Sequence, residues 1–193
     1  LELAENLRHR GLDVTVLERG DQIMGPLDIE MASIVQKRLE KNGVKVMLGA
    51  NTVEITNTEV KLADGTVLAS DLTVAAIGVR PANELAQDAG LDIGERGGIV
   101  VDEMQRTSDE CIFALGDAAE KRDAITGEPT LIPLAQTANR HGRLVADVIT
   151  GRTTTSQKTL GTAIVGLFGL AAATVGWNEK RARAAGKNVR IIH

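Results

Sequence analysis

The sequence predicts an α/β fold, and three observations carry that prediction. Short runs rich in Val, Ile and Leu, namely LDVTVL, VKVML and LTVAAIG, recur between segments with apolar residues at helical spacing. An Asp64-Gly65 pair sits between two β-rich stretches, the signature of a hairpin. A long amphipathic helix follows LIP, with Leu134, Ala138, His141, Val145 and Val148 on one face and Gly151 to close it.

The elements come in order. LELAENLRHRG places Leu3, Ala4 and Leu7 on one helix face and stops at Gly11. LDVTVLERG is then a strand ending in an acid, Glu18. The resulting unit is helix, tight turn, strand, acid. In a dinucleotide-binding unit an acid roughly 20 residues after the glycine-rich loop accepts hydrogen bonds from the adenosine ribose. Glu18 fits that position, although a solvated glutamate at a strand end is by itself unremarkable. The glycine loop itself is not in the chain.

Asp28 as N-cap and Gly43 as C-terminal stop bracket a helix carrying Met31, Val35 and Leu39. VKVML makes the next strand, NTVEIT and EVKLADGTVLASD an inserted antiparallel ribbon, and LTVAAIG a buried strand of the parallel type. VRPANELAQDAGLDI and GGIVVDEMQRTS introduce a second lobe that runs through a strand, CIFAL, to Gly116 and Asp117. RTTTSQKTLG is the most linker-like stretch. GTAIVGLF and LAAATVGW read as buried strands, NEKRARAAG as a helix and NVRIIH as a strand.

Composition excludes several classes. With 193 residues, 43% of them hydrophobic, the chain can bury one large core or two small ones. A net charge of -4 argues against nucleic-acid binding, and the Lys180 to Arg183 patch reads as a solvated helix face. The apolar run from Ala163 to Trp177 is too short for a membrane span and holds three glycines. One cysteine and no Cys/His cluster leave no disulfide framework or metal site, so a cytoplasmic setting is expected. Cys111 reads as an inert residue of the strand before Gly116, because Asp109 and Glu110 oppose thiolate formation. His141 reads as a packed core residue. His9 and His193 carry no constellation.

The order of these motifs resembles the middle of an FAD-dependent pyridine nucleotide-disulfide oxidoreductase, nearest to the coenzyme A-disulfide reductase and NADH oxidase/peroxidase branch. LELAENL is similar to the helix after that family's NAD loop. AAIGVRPAN resembles its A-x-G-x-R-P-N crossover with one residue inserted before Asn83; CIFALGDAAE resembles its second FAD motif, and LIPLAQTANRHGR the helix after that. GTAIVGLFGLAAATVGWNEK resembles the opening hairpin of the interface domain, although Gly169 and Trp177 stand where the family more often has an acid and a leucine.

The resemblance implies a Rossmann-like FAD/NAD(P)-binding fold in three parts. Residues 1–80 form an NAD(P)-binding lobe without its first strand and GxGxxG loop. Residues 81–152 form the C-terminal part of an FAD-binding domain, and 160–193 begin an α+β dimerisation domain of a homodimer. It implies FAD contacts from Gly116, Asp117, Ala118, Pro133, Leu134 and Ala135, with Asp117 on the ribityl chain and the helix start at the pyrimidine edge of the flavin. It implies NAD contacts from Glu2, Glu18, Arg19 and Gly78, with NADH the expected donor and NADPH the alternative. The redox cysteine is expected upstream of Leu1, so the chain itself holds no catalytic residue and is expected to be inactive alone. The parent would pass hydride from NAD(P)H through FAD to a small-molecule disulfide such as coenzyme A disulfide, or to oxygen or peroxide. The alternatives are a non-catalytic fragment that binds nucleotide or self-associates, and a ferredoxin-reductase-like flavoprotein.

Overall fold

The computed structural model describes residues 1–192; His193, and with it the end of the strand expected in NVRIIH, lies outside the described residues. Helix α1 (Glu2–His9) carries Glu2 and Glu5 in its first turn and Arg8 and His9 in its last, the arrangement that favours the helix dipole. Its buried contact is Ala4, whereas Leu3 of the expected apolar face is 50% exposed. Gly11, at φ 81°, turns the chain into β1 (Thr15–Leu17).

A crossover through α2 (Ile29–Lys41) brings β2 (Lys45–Met47) parallel to β1, with Val16 opposite Val46. Asn42 caps α2, and Gly43 at φ 80° turns the backbone so that the Val44 amide reaches the Leu39 carbonyl at 3.1 Å. The expected stop at Gly43 is therefore where the helix ends. Ala32, Val35 and Leu39 of α2 are buried with Ile23, Leu27 and Val44. Each fully buried Val or Leu removes enough apolar surface to contribute about 1.5–3 kcal/mol.

The inserted ribbon is a three-stranded antiparallel meander of β3 (Thr52–Ile55), β4 (Glu59–Leu62) and β5 (Val67–Ala69). Gly65 at φ 88° supplies the turn between β4 and β5, and the Asp64 carboxylate accepts the Thr66 amide at 2.9 Å. Val60 and Leu62 face inward onto Ala50, while β3 is an exposed edge with a register break between Thr52 and Glu54.

LTVAAIG is not a strand. Val74 is 50% and Ile77 94% exposed, and the Ala76 amide bonds only to the Val74 carbonyl two residues back. A parallel strand exists only beside a partner, and no described strand lies along this segment. The same reason removes the strand expected in CIFAL. Phe113 makes a single bridge to Arg106, and Cys111 sits exposed in the turn that precedes it.

Beyond these segments come α3 (Glu84–Asp88), a 3-10 turn (Gly116–Ala118), the ribbon β6 (Lys121–Arg122) and β7 (Pro129–Thr130), and α4 (Ala135–Ile149). Gly151 at φ 86° comes after the α4 cap, and the inward face of that helix is His141, Leu144, Val145 and Val148. Strands β8 (Ala163–Leu167) and β9 (Leu170–Thr174) form a hairpin. Its turn residues Phe168 and Gly169 both have positive φ, 47° and 73°. This is the two-residue geometry that matches strand twist, and it gives the glycine that departs from the family pattern a local reason. Helix α5 (Glu179–Ala184) comes next, and residues 188–192 form no strand.

The hairpin is half-buried with alternating exposure, where its composition predicts buried strands. Leu167, 2% exposed, joins the α2 core, and Arg38 of α2 donates to the Phe168 carbonyl at 2.9 Å. The chain thus divides into two compact units: Leu1–Ala76 with the residues from Ile164 onward, and Ile77–Ala163. No described helix is long and apolar enough to cross a membrane.

Candidate functional site

In the second unit, the loop to the candidate site is laid along α4. Phe113 packs with Met104 against Leu144, Val145 and Val148 in the later part of the helix. Three residues on, a Cβ at Gly116 would stand 3.8 Å from that of Ala138 in the earlier part. The segment therefore runs toward the helix N-terminus and delivers the Gly116–Ala118 turn beside its first turns. Gly116 makes the bend at φ 80°, a conformation an L-residue adopts only under strain.

Asp117 is exposed, and its carboxylate has no hydrogen-bond partner among the described residues. Ala118 is half-buried and offers its carbonyl to the Ile99 amide at 2.8 Å; Ala119 behind it is 0% exposed. At the start of α4, Pro133 is exposed, Leu134 occupies the cap position without a side-chain cap, and Ala135 opens the helix. The Thr137 and Ala138 amides are satisfied by the Leu134 carbonyl, whereas those of Ala135 and Gln136 have no partner among the described residues. An exposed carboxylate on a turn packed against a helix, together with free N–H groups at that helix's N-terminus, suits a ligand with hydroxyls and an electron-rich edge. The donor set fits the ribityl chain and pyrimidine ring of FAD. The structure thus brings Gly116, Asp117, Ala118, Pro133, Leu134 and Ala135 into one neighbourhood.

Two residues not singled out in the sequence stand behind this turn. Lys121 is 5% exposed, and its ammonium donates to the carbonyls of Gly116 and of Ala119, the latter at 2.9 Å. Burial lowers its pKa, and the Asp117 charge opposes that shift. Gln105 is 2% exposed at φ 66°, with its side-chain oxygen unpartnered. Lys121 lies in a charged run, KRD, that reads as solvated surface; no sequence signal marks it as buried. His141 is buried as expected, with Nδ1 unpartnered, and burial first, then Lys121 and Arg140, push its pKa below the usual histidine value.

The first unit carries most of the NAD candidates. Glu18 comes directly after β1, its amide bonded to the Met47 carbonyl and its carbonyl to the Ala50 amide, both at 2.9 Å. One carboxylate oxygen accepts the Gly20 amide at 2.7 Å, which fixes the side chain at the strand end and leaves the second oxygen open among the described residues. Arg19 beside it is exposed. Glu2 is an exposed first-turn residue of α1. Gly78, exposed at φ 95° with open space where a Cβ would stand, belongs to the other unit. No group of three or more His, Cys, Asp or Glu able to hold a metal exists among the described residues.

A strand-acid crossover in one unit and a Gly-Asp turn at a helix N-terminus in the other define an α/β, Rossmann-like nucleotide-binding oxidoreductase fold. The chain belongs to the pyridine nucleotide-disulphide oxidoreductase family, whose model matches residues 1–142. It is 44% identical over 155 residues to the NADH oxidase of Methanocaldococcus jannaschii, an alignment covering 78% of this chain and 34% of that protein. To the CoA-dependent NAD(P)H sulfur oxidoreductase of Pyrococcus furiosus it is 34% identical, over 98% of this chain and 44% of the relative. The reduced CoADR-RHD structure of Bacillus anthracis superposes with a TM-score of 0.93 at 42% identity, covering 97% of this chain and 34% of that one. The chain thus spans between a third and a half of the length of these relatives.

Proposed function

We propose that this chain supplies the NAD(P)-binding lobe and the ribityl-binding part of the FAD lobe of an NAD(P)H-dependent flavoprotein oxidoreductase. The observation that carries the proposal is that the Gly116–Ala118 turn, with Asp117 exposed on it, packs against the early part of α4, whose Ala135 and Gln136 amides have no partner among the described residues. When bound, FAD would take hydride from NAD(P)H and deliver the electron pair to a disulfide such as coenzyme A disulfide, or to oxygen or peroxide.

The residues of the chain act by binding and orientation. Asp117 accepts a hydrogen bond from a hydroxyl of the ribityl chain. The N-terminus of α4 directs its free amides at the pyrimidine edge, where negative charge is favoured. Glu18 accepts from the adenosine ribose hydroxyls of NADH, and Arg19 stands ready for the 2′-phosphate of NADPH. Gly78, with open space where a Cβ would stand, and Glu2 are further NAD contacts in the same reading. A cytoplasmic homodimer belongs to the same proposal; the outer face of the hairpin, with Ile164 at 74% exposure, is the surface it would use.

The test is flavin binding. In the protein that carries the complete FAD lobe, fluorescence quenching should show one FAD bound per protomer, and Asp117→Ala should weaken it about tenfold or more, since a hydrogen bond to a charged group is worth about 1.5–3 kcal/mol. Equal affinity of the two proteins would refute the Asp117 assignment.

A further inference from the structure

We propose that Lys121 is a positioning residue of this flavin site: its ammonium clasps both ends of the Gly116–Ala118 turn and so holds Asp117 where a ribityl hydroxyl can reach it. This role rests on the flavin reading above and adds a residue to it.

The turn is held poorly by its own backbone. It is a single 3-10 turn of three residues with no side-chain cap, and its first residue sits at φ 80°. On its far side it has one bridge, through Ile99 to Ala119. Lys121 supplies the rest. Its backbone is fixed in β6, opposite the buried Thr130 of β7, and from there the side chain doubles back to the carbonyls of Gly116 and Ala119. These two carbonyls flank Asp117 on either side in the chain.

A lysine this buried requires a reason. Removing an ammonium from water costs several kcal/mol, and proteins usually offset that with a paired carboxylate. Here the hydrogen bonds of the ammonium go to two backbone carbonyls instead. Asp117 acts on it through space without touching it, so the lysine does not consume the carboxylate needed for a ligand. A surface lysine would give up this geometry for hydration. A clasp that fixes the carbonyls and leaves the carboxylate outward is what a preorganised hydroxyl acceptor needs.

The experiment is a double-mutant cycle on FAD affinity in the protein that carries the complete FAD lobe, measured by flavin fluorescence, with the melting of each ligand-free protein monitored by circular dichroism. Lys121→Met should fold and weaken FAD about tenfold, because an Asp117 no longer held in place loses its hydrogen bond to the ribityl hydroxyl. In an Asp117→Ala background the same substitution should have little further effect, because the two residues act as one unit. Lys121→Arg should recover most of the affinity. If Lys121→Met does not fold, Lys121→Gln, which keeps a donor, carries the same cycle. Lys121 variants that bind FAD like the unsubstituted chain, or whose loss adds in full to that of Asp117→Ala, overturn the inference while the flavin site stands. An unsubstituted protein with the complete FAD lobe that takes up no FAD overturns the site itself, and the inference with it.

Discussion

The Glu18 carboxylate is divided between a structural contact and a second oxygen without a partner among the described residues. The first oxygen receives the Gly20 amide at 2.7 Å and fixes the turn after β1; the second is the one proposed for a ribose hydroxyl. Replacing Glu18 by alanine would release Gly20 as well as remove the charge, so the informative change is Glu18→Gln, which keeps the acceptor. The expected outcome, in the protein with a complete dinucleotide site, is a rise in NADPH affinity relative to NADH of about tenfold, the equivalent of one relieved repulsion of about 1.4 kcal/mol. Isothermal titration with both nucleotides measures that ratio, and an unchanged ratio removes Glu18 from the ribose site. Arg19, exposed beside it, is free to turn toward a 2′-phosphate once the repulsion is gone.

Among the elements, the N-terminus of α2 differs from what its sequence suggests. Asp28 occupies the cap position with extended backbone, yet its carboxylate does not cap its own helix. It accepts the amides of Glu179 at 2.9 Å and Lys180 at 3.3 Å at the start of α5, 151 and 152 residues away in the chain. Asn178 donates to the Pro26 carbonyl, and Lys180 to the buried Gln22. Asp28 is thus the tie between the loop before α2 and helix α5. Asp28→Ala should cost about 1–3 kcal/mol, because two amides at the α5 N-terminus lose a charged acceptor. Limited proteolysis should then cut after β9 well before the α2 core is attacked. Cleavage at an unchanged rate would show that the packing of Leu167 and the bonds of Arg38, Asn178 and Lys180 hold the hairpin and α5 in place without Asp28.

For the molecule as a whole, buried His141 makes stability depend on pH. Its pKa is depressed below the usual histidine value, first by burial and then by Lys121 and Arg140. The unfolded chain therefore takes up a proton near pH ~6.5 that the folded chain refuses. Stability is independent of this group above its unfolded pKa and falls as pH drops through and below it. Urea unfolding at about pH 7.5 and 5.5 should show a loss on acidification that is smaller in His141→Gln, the slope with pH and not the absolute midpoint being the readout. Equal slopes in the two proteins would place the acid sensitivity on other groups.

Local chemistry along the chain is enough to set the family, the helix-strand-acid order and the positions where the backbone must turn. Helical spacing locates α1, α2 and α4, and Gly11, Gly43, Gly65 and Gly151 each stand at positive φ at a bend, since local sterics decide such positions without help from distant residues. The ribbon around Asp64-Gly65 is legible for the same reason. Three features need the fold. LTVAAIG and CIFAL have strand composition, but pairing comes from a neighbour: no described strand runs along LTVAAIG, and CIFAL meets only the single Phe113–Arg106 bridge. The hairpin after Gly161 has the composition of an interface element, yet its inner face is covered by α2, because long-range packing assigns partners that local pattern cannot. Lys121 reads as surface because charge in a sequence signals solvent; only the fold bends its side chain onto the carbonyls of the Gly116–Ala118 turn, where hydrogen bonds replace water.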